Sequence, residues 1–160
     1  MRKKILIIAL TDLSKSPRPL RQIKALKDKY EIHTVGLKKS NLETRFFPIK
    51  KRSIVLELLM MPFLLLKQYH FYFWSKENKI VLNQLRKENY SIIIVHEIRM
   101  MPLGVNIASD SQIILDAHEY SPNNFDDNFM WRFFIKQYYV DLCLKYFSRC
   151  DKIITVCDGI

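Results

Sequence analysis

Three glycines, six prolines and three cysteines in 160 residues each remove a class of protein. So little glycine and proline leaves small room for flexible linker and makes short connections the rule. Cys143, Cys150 and Cys157 are odd in number and seven residues apart, with no C-x-x-C pair, so neither a disulfide framework nor a zinc site is suggested and the chain reads as a reduced, cytosolic one. No apolar run reaches the roughly 20 residues that a spanning helix needs. The MRKK start has the charge of a signal peptide, but Ile5 to Leu10 is too short for its apolar core and no small-residue cleavage site follows. Nucleotide-binding glycine motifs are also missing: the loop after the first apolar run reads TDLSKSPRP, which fits neither G-x-G-x-x-G nor a Walker A lysine motif.

What is present is a globular balance of 49% apolar and 26% charged residues, enough for one domain with a single packed core and not for two. The charge is uneven. Residues 1–52 hold 15 Lys/Arg against Asp12, Asp28, Glu31 and Glu43, a net of +11, whereas the remainder holds 11 against 12, a net of −1. The whole excess of +10 therefore lies in the first third. Such a field favours an anionic partner, and scattered solubilising lysines give the same count.

The apolar pattern predicts alternating strands and helices. Lys4 to Leu10, Tyr30 to Leu37, Arg45 to Ile49, Ser91 to Val95, Gln112 to Leu115 and Lys152 to Val156 read as six strands, the continuous apolar ones as strands buried on both faces. Helices are predicted after the Ser14 to Pro19 turn, over Ser53 to Trp74 with Ser53 as N-cap and a kink or break at Pro62, over Lys76 to Glu88, near Leu103 to Ser109 and over Phe129 to Ser148. This order specifies a Rossmann-like, doubly wound α/β fold with a mainly parallel sheet and helices on both faces.

An open parallel sheet binds its ligands beyond the carboxyl ends of its strands, and three strand ends carry polar groups. Thr11 and Asp12 follow the first strand, His96, Glu97 and Arg99 follow SIIIV, and Asp116, His118 and Glu119 follow QIIL. A metal site drawn from His96, Glu97, His118 and Glu119 is disfavoured, because successive residues at a strand end point different ways and no H-E-x-x-H helix occurs. Arg18 and Arg21, at the start of the first helix, are placed to reach an anionic acceptor or to form a solvated basic face.

The succession Ser16-Pro17-Arg18, His96-Glu97-Ile98-Arg99-Met100-Met101-Pro102, Asp116-Ala117-His118-Glu119-Tyr120 and Ile154-Thr155-Val156-Cys157-Asp158-Gly159-Ile160 resembles the acceptor-side domain of family 4 glycosyltransferases over essentially the whole chain. That family has the GT-B architecture, two Rossmann-like domains facing across a cleft, with the nucleotide-sugar donor held mainly by the second. The resemblance implies retaining sugar transfer without a required metal and with no cofactor in this domain. It makes residues 1–160 the amino-terminal half of a longer enzyme, inactive alone. It places His118 as the catalytic histidine, and Asp12, Arg18, His96, Glu97 and Arg99 on the acceptor side. Asp116, Glu119 and Gly159 would line the cleft. The missing glycines after the first strand depart from many relatives, which bears on acceptor geometry. A noncatalytic membrane-associated or scaffolding module and half of a sugar-nucleotide epimerase are the alternatives, since fold alone does not separate them.

Lys50-Lys51-Arg52 precedes Ile54 to Leu66, an apolar stretch broken by Glu57 and Pro62 and followed by Tyr69, Phe71, Tyr72, Phe73 and Trp74. A buried helix is the plain reading, and docking at an anionic membrane surface is the alternative. Enzymes of the resembled family often act on lipid-linked acceptors. The expected partners are thus a sugar or lipid-linked acceptor and an anionic membrane, with no nucleic acid, and the expected location is the cytoplasm or the inner face of the cell membrane.

Overall fold

A computed structural model describes residues 2–117, 125 and 127–155. Six strands, β1 (Lys4–Ile8), β2 (Glu31–Gly36), β3 (Arg45–Pro48), β4 (Ile92–His96), β5 (Gln112–Asp116) and β6 (Lys152–Ile154), form one sheet. All pairings are parallel and the order is β3-β2-β1-β4-β5-β6. The fold is Rossmann-like α/β, and each strand lies where the apolar runs of the sequence predict it. The order reverses between β1 and β4, a topological switch point of the kind beside which such sheets bind ligands.

The two faces carry different cores. On one, α1 (Pro17–Leu26) lays Ile23 against Ile5, Ile7, Ile32 and Ile94. On the other, α4 (Lys76–Leu85), α5 (Met101–Ile107) and α6 (Lys136–Tyr146) cover Leu6, Ile8, Val35, Ile93, Val95 and Leu115. Alternate residues of β1 and β4 therefore feed opposite cores, as the two-residue period of a strand requires. Gly104 lets α5 approach closely: a Cβ there would lie 2.7 Å from Val95 Cγ2.

The segment following Ser53 departs from the buried reading. Ser53 caps α2 (Ile54–Leu65) by accepting from the Leu56 amide. The helix runs through Pro62 and ends instead at Leu65, with Leu66 as its cap and then Lys67 at φ 54°. The amides of Gln68 and Lys67 close on the carbonyls of Phe63 and Leu64, a Schellman end with lysine in the place glycine usually takes. Leu64 is the buried residue of α2, while Ile54, Val55, Leu58 and Leu59 are each more than half exposed. The short α3 (Tyr69–Phe73) then turns Phe73 inward. The helix predicted from Phe129 is also uneven: Trp131–Ile135 is a π-helical segment before α6. Among the described residues, no helix is long and apolar enough to cross a membrane.

Candidate functional site at the carboxyl rim of the sheet

The last residues of β4 and β5, His96 and Asp116, are register partners. They follow Ile94 and Ile114 by two positions and so share the face covered by α1. On α1, Arg18 and Gln22 are four residues apart and present one stripe to that rim. The four side chains meet. Gln22 Nε2 donates to Asp116 Oδ2 at 2.7 Å, because a carboxylate only accepts. That orientation turns Gln22 Oε1 toward His96 Nε2 at 2.9 Å, so Nε2 carries the histidine proton. His96 Nδ1 lies 3.6 Å from Asp116 Oδ2. Arg18 Nη2 comes within 3.0 Å of Asp116 Oδ1, yet that oxygen accepts no well-directed hydrogen bond among the described residues. The Arg18–Asp116 pair is therefore coulombic rather than a fork-like bidentate one. Both His96 and Asp116 are about 1% exposed, whereas Arg18 retains 24% exposure.

The remaining rim residues are placed apart from this group. Asp12 accepts from the amide and hydroxyl of Ser14 and faces Lys38, so its carboxylate organises the β1–α1 loop. Thr11 and Ser16 share a hydrogen bond of 2.5 Å across the same loop. Glu97 adopts φ 72° and ψ 130°, a region that favours glycine. Its side chain takes a hydrogen bond of 2.8 Å from Arg99 Nε. Burial works against the Arg99 charge, but the Glu97 carboxylate together with Tyr139 and Tyr72 outweighs it and holds the guanidinium above its ordinary value. Arg21 is exposed. His118, Glu119 and Gly159 lie outside the described residues. Among those described, no three His, Cys, Asp or Glu side chains are grouped to hold a metal ion.

No protein-family model matches the chain, and no curated protein does.

Arg99 leads from the rim into a cleft of about 600 Å³. The cleft is floored by Leu10 and Ile49 just past β1 and β3, and walled by Tyr72, Trp131, Tyr138 and Tyr139. Burial pushes the Tyr72 and Tyr139 hydroxyls above the ordinary tyrosine value, so both stay protonated. Tyr72 donates to Glu57 at 3.0 Å while Arg52 stacks over its ring, 4.8 Å from the centroid. The sequence marks Tyr72 within the Tyr69 to Trp74 aromatic run, but neither Gln22 nor the grouping of Tyr72 with Trp131, Tyr138 and Tyr139. The four-residue spacing of Arg18 and Gln22, opposite two strand ends, was the available signal for the first. The wall is assembled from three separate helical segments and leaves no local motif.

Proposed function

We propose that the chain is the acceptor-side domain of a retaining glycosyltransferase, transferring a sugar from a nucleotide-sugar donor to a polysaccharide or lipid-linked acceptor of the cell envelope. The observation that carries this reading is the convergence of Arg18, Gln22, His96 and Asp116 at the carboxyl rim, beside the point where strand order reverses. Polar, buried and mutually bonded, such a group fixes the carboxyl end of β5 at Asp116, and the sequence goes on Ala117-His118-Glu119. In this reading His118 hydrogen-bonds the donor sugar and stabilises charge as the glycosidic bond opens. Arg99 and His96 position the acceptor, with the sugar nucleotide held mainly by a second domain. The exposed apolar face of α2 beside Lys50 and Lys51 favours a peripheral site at the inner face of the membrane. The test is transfer of a labelled sugar, from a panel of nucleotide sugars, into the lipid or polysaccharide fraction by the complete enzyme. Transfer by the complete enzyme and none by the 160-residue chain alone is expected. Absence of transfer across the panel would favour a noncatalytic module.

A further inference from the structure

A second cavity, of about 430 Å³, opens among α3, α4, α5 and α6, on the opposite face of the sheet from Arg18 and Gln22. Tyr138 lines both this cavity and the Arg99 cleft. Its ring centroid lies 4.9 Å from that of Tyr69 in the one and 5.2 Å from that of Tyr72 in the other. None of the charged residues of the second cavity takes part in the proposed transfer. Its volume is in the ordinary range for a small-molecule site.

Phe73, Tyr138 and Tyr146 are buried there, Tyr69 and Trp74 are half-buried, and Lys79 and Lys145 are exposed. Rings therefore form the interior and ammonium groups the rim. The one lining carboxylate, Asp141, is already engaged. Its Oδ2 accepts from the Tyr69 hydroxyl at 2.6 Å and lies 3.5 Å from Lys67 Nζ, while Oδ1 accepts from Gln137 Nε2 at 2.8 Å. Lys79 and Lys145, in contrast, have no ion-pair partner among the described residues. Lys145 Nζ stands 5.4 Å from the centroid of the Tyr146 ring. The cavity thus joins stacking surfaces to two uncommitted positive charges.

Aromatic walls select a planar ring, and a nucleobase of any identity offers a face to stack on them. Two ammonium groups match the charge near −2 of a phosphate monoester at neutral pH better than the single charge of a carboxylate. We propose that this cavity binds a nucleoside monophosphate, with the base among Trp74, Tyr69 and Tyr146 and the phosphate on Lys79 and Lys145. The site is separate from the rim group, and its occupancy is measured without turnover. Failure to bind therefore leaves the transferase reading in place, and failure to transfer leaves this site in place.

The experiment is a fluorescence titration of the Trp131→Phe chain, in which Trp74 is the remaining tryptophan, with calorimetry on the unsubstituted chain as a second measurement. The probes are adenosine 5′-monophosphate, adenosine, indole-3-acetate as an aromatic carboxylate, and inorganic phosphate. Saturable quenching by the monophosphate is expected, with an affinity about tenfold or more above that for adenosine or for the carboxylate, and no response to inorganic phosphate at the same concentration. The Lys79→Gln/Lys145→Gln variant should keep its melting temperature and bind the monophosphate about tenfold or more weakly. No saturable binding by either method, equal affinity for adenosine, or unchanged affinity in that variant would overturn the proposal. Equal affinity for indole-3-acetate would make this a site for aromatic carboxylates, and a full response to inorganic phosphate would make it a free-phosphate site. Either result sinks the nucleotide assignment.

Discussion

Removing the Arg18 guanidinium should expose how far the rim depends on one ion pair. Asp116 is 1% exposed, Arg18 Nη2 lies 3.0 Å from its Oδ1, and that oxygen accepts no hydrogen bond among the described residues. Two unit charges about 4 Å apart interact by about 4 kcal/mol at an effective dielectric near 20. Arg18 keeps 24% exposure, and solvent screening brings the expected coupling down to about 1–3 kcal/mol, between exposed and fully buried pairs. The assay is a double-mutant cycle by urea unfolding with Arg18→Met, Asp116→Asn and the double variant. Arg18→Met alone should cost about 2–3 kcal/mol, because it strands a carboxylate whose neighbours are Gln22 and His96. The double variant should fall short of the additive loss by the coupling energy. Additivity within about 0.5 kcal/mol would show that the two side chains do not interact, and the described rim would be wrong.

Three further outcomes follow from the packing. Gly104→Ala sets a helix-propensity gain of about 1 kcal/mol against a methyl placed 2.7 Å from Val95 Cγ2. The clash should prevail by about 1–2 kcal/mol, lowering the melting temperature, with partial recovery in Gly104→Ala/Val95→Ala; a rise in melting temperature for the single variant would refute the close approach. Glu97→Gly and Glu97→Ala both remove the Arg99 pair, but only glycine relieves φ 72°, so the glycine variant should be the more stable by about 1–2 kcal/mol, and equal stabilities would mean that the backbone there is unstrained. Burial works to raise the Glu43 carboxyl, but hydrogen bonds from Ser40 and the Leu42 amide outweigh it and hold the group below the ordinary value of 4.5. Its folded form is favoured above the unfolded value, and that stability is lost as pH falls through the lowered folded value. Glu43→Gln should therefore flatten the acid limb of a stability–pH curve below about 4.5, and an unchanged slope would count against the cluster.

The strands were legible because continuous apolar runs bounded by turn residues have few alternatives in a chain this poor in glycine and proline. Ile92 to Val95 and Ile113 to Leu115 could hardly be anything but buried strands, and their polar successors therefore had to lie on the rim. Gln22 was harder to see. An uncharged amide carries no titration or motif signal, and its role exists only because β4 and β5 are neighbours in the sheet. The exposure of α2 was hidden for another reason: composition reads the same whether an apolar helix packs in a core or lies on a surface. Only the position of α2 beyond the end of β3 decides it. The positive φ of Glu97 and Lys67 was equally hidden, since neither position holds glycine.

The most direct test of the central claim is to measure melting and sugar transfer on one preparation of the proposed transferase carrying His118→Ala. If His118 hydrogen-bonds the reacting sugar as proposed, turnover falls by about 100-fold or more with the melting temperature nearly unchanged, the scale of losing one preorganised donor. Near-normal turnover in the variant, or a stability loss of roughly 1–3 kcal/mol with activity kept in the folded fraction, would contradict it.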